Sequence, residues 1–322
     1  MKSQDEIVAA RQADWRELET ILSRGASLAE LDGPSISRAA ALYRSLSSDL
    51  ILCRARATPD LVAYLDSLVN RAHSALYGAE PFRAPSLVSL LLREFPQALR
   101  RNIVFFAASC ALFLIPCAVG VLLALFEPDL AAKVLPRSTL DHMADMYSGG
   151  FDGGRSEGTD AGMAGFYVYN NVGIAFRCFA TGILFGLGSV WFLVYNGMHI
   201  GIVAGWVTAS GFGHNIGTFM CGHGPFELTA IVIAGAAGLR MGHAFIVTQG
   251  RTRVGSLREA APDLVRLIVG AAVMLLIAAS IEGFWSPSGL PAPVKWTAAI
   301  IFSLLVAAYL AFAGRDVVRR AA

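Results

Sequence analysis

Charge is scarce in this chain. Of 322 residues only 16% are charged, and the formal net charge is +2. So small an excess favours neither nucleic acid nor an acidic substrate. No basic patch interleaved with aromatics offers a nucleic-acid footprint, and none is expected as a partner. Cysteine is scarce as well. The five residues Cys53, Cys110, Cys117, Cys178 and Cys221 have no spacing of a disulfide framework or zinc ribbon. They read as small buried hydrophobes with free thiols. HExxH, the Gly-x-Ser-x-Gly elbow, a phosphate loop and paired catalytic carboxylates are all missing, so no catalytic residue is assigned and no cofactor is implied. No cleavable leader is visible either. The first hundred or so residues are polar and periodic, and the apolar run beginning near Ile103 must act as an internal, uncleaved signal.

What the chain has is apolar length. Hydrophobic residues make up 55% of it, and the mean hydropathy is +0.55. The fold class that follows is all-α: a polytopic membrane helix bundle of about six spans behind an N-terminal cytoplasmic helical region. The spans are expected at 103–126, 172–195, 198–213, 226–246, 264–282 and 296–313. The domains are then 1–98 and 99–322, with a long outer loop at 127–165. That loop is glycine-rich around 149–165 and carries Asp129, Asp141, Asp145, Asp152, Glu157 and Asp160. It reads as a flexible connector, or as a lid over the bundle.

Three amphipathic stripes organise the N-terminal region. Trp15, Leu18 and Leu22 mark the first; Ile36, Ala39, Tyr43, Leu46, Leu50 and Cys53 mark the second after Gly33-Pro34-Ser35. Thr58 as N-cap and Pro59 at the first helical position open the third, whose face is Leu61, Leu65, Leu68, Ala72 and Leu76, ending at Gly78. Such stripes bury one another as a small bundle, or leave a face for a partner. Residues 87–95 are apolar almost all round and read as an interfacial helix turning into the first span at Pro96.

Arginine placement sets the orientation. Arg93, Arg100 and Arg101; Arg251, Arg253 and Arg258; and Arg315, Arg319 and Arg320 all fall on one side if there are six spans. That side should be cytoplasmic, with both termini inside the cytoplasmic membrane of a bacterium.

Ionisable groups within apolar segments are costly and mark functional or interior positions. The polar residues of this stretch, ionisable or not, are Asn170, Asn171, Arg177, His214, Asn215, His223 and Glu227. On the predicted topology they form one outer-leaflet layer, with His214, Asn215, Cys221 and His223 in the loop between the third and fourth spans. Small residues share their faces. Gly197, Gly201 and Gly205 stripe the third span, and Gly235, Gly238 and Gly242 follow in the fourth. Close approach of these helices is expected to set Arg177 beside Glu227.

Several readings of the layer stay open. Gly224-Pro225-Phe226-Glu227 has the order of a helix start, with glycine at the N-cap and a carboxylate at the positive dipole end. Asn170 or Asn171 caps the second span likewise, and Arg177 pairs with Glu227. Alternatively Asn170, Arg177, His214, His223 and Glu227 line a substrate or ion pocket open to the outside. His214, Cys221, His223 and Glu227 are residue types that suit zinc, without a tight ligand motif. On the inner side, Asn196 and Gly197 read as a tight turn. His73, His199, Arg240 and His243 read as packing or snorkelling residues.

At these residues the chain resembles the stage II sporulation protein M family of integral membrane proteins. The resemblance rests on Asn170-Asn171, the glycine-rich second span, Asn196-Gly197, and His223-Gly224-Pro225-Phe226-Glu227 followed by Gly235, Gly238 and Gly242. Upstream, Tyr43-Arg44, Asp49-Leu50, Ala55-Arg56, Tyr64-Leu65, Leu68-Val69, Arg71-Ala72-His73 and Leu76-Tyr77 are similar to the extended form found outside spore formers. The resemblance implies a multi-span inner-membrane protein. Sporulation members anchor and localise a cell-wall-remodelling complex without catalysis, and the wider family often accompanies MoxR-type AAA+ ATPases. The long N-terminal region and the sixth span set this chain apart from the sporulation members. The expectation is a non-enzymatic structural or assembly protein of the cell envelope, surrounded by lipid and bound to membrane or cytoplasmic partners or to a second copy. The alternatives are a transporter or small-molecule-binding protein, and a membrane metalloenzyme.

Overall fold

The computed structural model describes residues 4–23, 33–54, 57–77, 86–150 and 157–315. Gly78, Ala55, Arg56, Asp152, Arg319 and Arg320, which carry expectations above, lie outside them. Every element among the described residues is helical. The chain divides into two compact units, Met1–Ala84 and Pro85–Ala322.

The first unit contains α1 (Gln4–Ser23), α2 (Gly33–Arg54) and α3 (Pro59–Tyr77). Their stripes meet in one core of Trp15, Leu18, Ile21, Ala39, Leu42, Leu46, Leu50, Cys53, Leu65, Leu68 and Ala72. One buried charge stands in it. Asp49 accepts hydrogen bonds of 2.9 Å from Trp15 Nε1 and of 2.9 Å from Arg11 Nε. An aspartate on the apolar side of α2 is tolerable only because both donors meet it. Burial, with Asp49 alongside, pushes the Cys53 thiol above its usual range. Tyr43 Oη lies 3.0 Å from His73 Nδ1, which joins α2 to α3.

The second unit begins with a helical turn, α4 (Leu87–Ser89), a π-helical turn Leu90–Glu94, and α5 (Phe95–Arg101). Pro96 was expected to break this segment, but it sits in the first turn of α5, where its missing N–H is harmless. The break falls instead at Asn102 (φ −107°, ψ 26°), ahead of α6 (Ile103–Phe126). Glu94 meets Arg266 at 2.8 Å, and Arg101 forks onto Asp263, on α12 (Arg253–Ser280). Arg100 donates to the carbonyls of Leu310 and Ala313, at the free C-terminal end of α13 (Ala292–Phe312). A cation there satisfies orphan carbonyls and opposes the helix dipole. The short segment is therefore a clamp on two long helices.

After α6 the expected 127–165 loop is largely helical. It holds α7 (Pro128–Val134), α8 (Arg137–Ser148) and the start of α9 (Glu157–Ala180). Leu140 and Ala144 of α8 pack with Trp206, Val207 and Ile216. Asp141 accepts from Trp206 Nε1 at 3.2 Å, and Asn215 Nδ2 donates to the Tyr147 carbonyl at 2.7 Å.

A 3-10 turn, Thr181–Ile183, leads through Phe185 (φ 54°) and Gly186 (φ 85°) into α10 (Leu187–Val207). Asn196 and Gly197, read as a turn, are buried inside α10. After a π-helical turn, Thr208–Phe212, the chain continues into α11 (Gly213–Ile246). The run Leu187–Ile246 is 60 residues long, about 90 Å if straight. It is not straight. Gly211 has φ 94°, which an L side chain resists, and there the helix folds back on itself. Leu193 then lies against Gly235, and Ser189 against Gly238.

The glycine stripes carry the packing. A Cβ at Gly197, Gly201 or Gly205 would overlap the backbone carbonyl oxygen of Phe113, Cys117 or Val121 respectively. Pairs advancing four residues together mean that α6 and α10 run in the same direction. Gly242 meets the Gly186 backbone, and Gly182 meets Gly238. Backbones this close need both partners to be small.

Four helices among the described residues are long and apolar enough to cross a membrane: Ile103–Phe126, Leu187–Ile246, Arg253–Trp285 and Ala292–Phe312. The expected third and fourth spans, with the end of the second, are thus joined in Leu187–Ile246; the expected 172–195 span is broken at Thr181–Ile183, and α9 is not among the four. Ile115 on α6 and Leu304 on α13 are 63% and 65% exposed. Apolar side chains of this size facing outward along both helices suit lipid rather than water.

Candidate functional site

Near the end of the bundle away from the α5 clamp, four elements bring polar side chains to one place. His223 and Glu227 lie one turn apart on α11, on one face of the helix. Opposite them α12 passes into a π-helical turn, Ile281–Trp285. The extra residue of a π turn re-aims the side chains around it, and such turns concentrate at functional positions. Here Glu282 and Ser286 face α11. Asn171 arrives from α9, and Lys295 from the first turn of α13.

The distances are short. His223 Nε2 is 3.8 Å from Glu227 Oε2. One ligand atom each from His223, Glu227 and Glu282 lie within 4.8 Å of one another. His223 Nδ1 is 2.9 Å from Ser286 Oγ, Lys295 Nζ donates to the Ser286 carbonyl at 2.8 Å, and Asn171 Nδ2 donates to Glu282 Oε2 at 3.4 Å. His223 and Lys295 are each 3% exposed and Glu282 7%. Among the described residues no hydrogen bond reaches the Glu227 carboxylate, and His223 is its ion-pair contact.

Apolar groups close the site. Gly222 leaves room for the Trp285 ring, which a Cβ would overlap. Phe219 meets His223 edge-on at 5.4 Å, and the Gly283 position abuts Ala164 of α9. Two carboxylates, one ammonium and one imidazole thus share a largely buried space. Buried charge persists only when balanced. The group is chemically able to hold a cation or to share a proton between carboxylates.

Sequence reading placed several of these residues differently. His214, Asn215, Cys221 and His223 are not in a loop but on α11. Pro225 lies inside that helix, so Gly224-Pro225-Phe226-Glu227 is not a helix start and Glu227 is not an N-cap partner. Asn170 and Asn171 are interior to α9 and cap nothing; Asn170 Nδ2 donates to Asn171 Oδ1 at 3.1 Å. Arg177 is exposed and donates to the Gly173 carbonyl of its own helix at 3.0 Å. Among the described residues it forms no ion pair with Glu227, because α9 turns its Arg177 face outward. His214 is exposed, and Cys221 Sγ lies 3.3 Å from the Thr218 carbonyl. Neither joins the His223 group. His223, Glu227 and Asn171 come together as a set.

Glu282, Ser286 and Lys295 fall outside the set that sequence predicts. One signal was available: Glu282 is an ionisable residue ending an expected span, of the same kind as Glu227. Lys295 stands just ahead of the expected sixth span, where a flanking cation is ordinary. Only the return of α13 against α11 buries it.

A family model described as "Stage II sporulation protein M" matches residues 109–287, and one described as "Domain of unknown function (DUF8413)" matches residues 5–78. An uncharacterized protein of Methanocaldococcus jannaschii is 26% identical over 120 residues, covering 37% of this chain and 67% of that one. No solved structure matches the chain. The first match takes in Asn171, His223, Glu227, Glu282 and Ser286, and ends short of Lys295.

Proposed function

The chain belongs to the stage II sporulation protein M family, and we propose that it is a non-enzymatic structural or assembly protein of the bacterial cytoplasmic membrane, anchoring an envelope-associated complex. The observation that carries this reading is the backbone contact of α6 with α10 through Gly197, Gly201 and Gly205, repeated by Gly182 against Gly238 and Gly186 against Gly242. Helices seated carbonyl-to-glycine do not slide or rock without losing that contact. Alternating access needs such movement, and an anchor needs its absence.

The proposed topology has six passes, α6, α9, α10, α11, α12 and α13, alternating in direction. Its support is that Arg93 and Arg100 meet the end of α13 beside Arg315, Arg101 meets Asp263 of α12, and Arg253 at the start of α12 lies over Phe185 in the link before α10. The positive-inside rule puts that end, with both termini, in the cytoplasm. The helical unit Met1–Ala84 then offers a cytoplasmic surface. Ile51 and Leu52 stand out on α2, 71% and 61% exposed, as side chains awaiting a partner would. A MoxR-type AAA+ ATPase is the first candidate partner, from the family resemblance. Self-association through remaining small-residue faces is compatible with it.

The test is co-purification of the full chain with a co-expressed MoxR-type ATPase from native membranes. Capture that is lost on Leu52→Arg supports the reading. Solute flux or turnover by the reconstituted chain alone overturns it. The buried His223, Glu227 and Glu282 group favours a second reading, a membrane protein that binds an ion or small molecule.

A further inference from the structure

We propose that His223, Glu227 and Glu282 form a binding site for one first-row divalent cation of the zinc type, which ties α11 to the π-helical turn after α12. The donor set is one imidazole and two carboxylates, with ligand atoms within 4.8 Å of one another. Zinc bonds of about 2.0–2.2 Å put tetrahedral neighbours roughly 3.5 Å apart. The three atoms therefore need to close by about 1 Å, within the reach of carboxylate rotamers.

Three further features point to a cation. First, His223 is oriented as metal-bound imidazoles are. Its Nδ1 engages Ser286 Oγ at 2.9 Å, and its Nε2 is left facing the Glu227 carboxylate. A hydrogen bond on the far nitrogen fixes the tautomer and ring plane of such ligands. Second, Glu282 is held from behind by Asn171 Nδ2 at 3.4 Å. Third, the π turn Ile281–Trp285 interrupts a regular helix at the position that presents Glu282.

Donor chemistry selects the cation. Lys295, whose Nζ donates to the Ser286 carbonyl, is the cation that faces the group from α13. Two buried carboxylates side by side favour a cation between them. A divalent ion can bond both carboxylates directly. The imidazole argues against magnesium and calcium, which prefer oxygen throughout. Three protein ligands leave at least one coordination position for water.

The experiment uses the full chain in detergent, stripped with a chelator and titrated with zinc alone. About one zinc per chain is expected, with affinity falling at least 10-fold in Glu282→Gln, Glu227→Gln and His223→Gln. His214→Ala and Cys221→Ser should bind as the unaltered chain does. Cobalt as a spectroscopic probe should give a four- or five-coordinate visible spectrum. A monodisperse unaltered chain that takes up no stoichiometric zinc overturns the proposal and leaves the carboxylates sharing a proton. Zinc uptake that persists through all three ligand substitutions overturns it as well. If a ligand variant fails to elute as a folded species, Asn171→Ala is read in its place, with weakened but stoichiometric binding expected and unaltered affinity counting against the site. The proposal stands independently of the assembly reading. Metal stoichiometry and ATPase capture are separate readouts, and either can fail alone.

Discussion

Arg101 grips Asp263 with two parallel hydrogen bonds, Nε to Oδ2 at 3.0 Å and Nη2 to Oδ1 at 2.6 Å. Asn102 and Arg266 donate to the same carboxylate at 3.1 and 3.2 Å. One aspartate on α12 thus fixes both the end of α5 and the kink that starts α6. The Asp263 side chain is 24% exposed and Arg101 50%, so solvent weakens the pair. Asp263→Asn is expected to lower bundle stability by about 1–2 kcal/mol. A thermal-unfolding midpoint in detergent, compared with Arg137→Gln at the exposed Asp129 contact, reads it. Equal, negligible effects would refute the clamp.

The α6–α10 seam predicts a graded response to added methyl groups. A Cβ at Gly201 overlaps the Cys117 carbonyl, whereas one at Gly224 meets nothing within 4 Å. Gly201→Ala is therefore expected to cost about 2 kcal/mol or more through overpacking. Gly224→Ala should be neutral or stabilising by about 0.5–1 kcal/mol through helix propensity. Reversal of that order in a folded-fraction assay would show that the seam is not in contact.

Arg177 and Glu227 are predicted to be energetically independent. The guanidinium folds back on Gly173, and the carboxylate points into the bundle towards His223. A double-mutant cycle of Arg177→Gln with Glu227→Gln should give a coupling below about 0.5 kcal/mol. A coupling of several times that value would restore the ion pair expected from the sequence.

Cys53 offers a check on the N-terminal bundle. It is 1% exposed, and its thiol is pushed up by burial. A maleimide should not label it in the native chain and should do so once denaturant opens the unit. Rapid native labelling would contradict the packing of α2 on α3.

Much of the first unit was legible because period alone decides it. Trp15, Leu18, Ala39, Leu46, Leu65 and Ala72 repeat at helical spacing, and the same residues are buried. The small residues Gly197, Gly201 and Gly205 were legible as a packing stripe for a like reason, since a four-residue period puts them on one face. Their partner, α6, was not, because partner choice is a property of two helices and a period describes one.

Punctuation misled where context reversed its meaning. Asn196-Gly197 and Gly224-Pro225 read as a turn and a helix start in water, where broken backbone is hydrated. Within an apolar bundle every backbone group needs an internal partner, so the helix runs through both. The real reversals fall at Thr181–Ile183 and at Gly211. Gly211 gave no signal apart from the glycines around it, since its φ of 94° appears only in the folded chain.

The amino-acid order by itself determined that this chain is helical, that its second unit is apolar enough for a bilayer, and that His223 and Glu227 share a helix face. Local spacing and side-chain hydropathy suffice for those three. Folding decided that Glu282, Ser286 and Lys295, from 55 or more residues further along, complete their surroundings, and that Arg177 does not. Which distant side chains meet depends on the depth and rotation at which helices seat against one another. That seating is set by carbonyl-to-glycine contact and a π turn, quantities that no stretch of sequence carries alone.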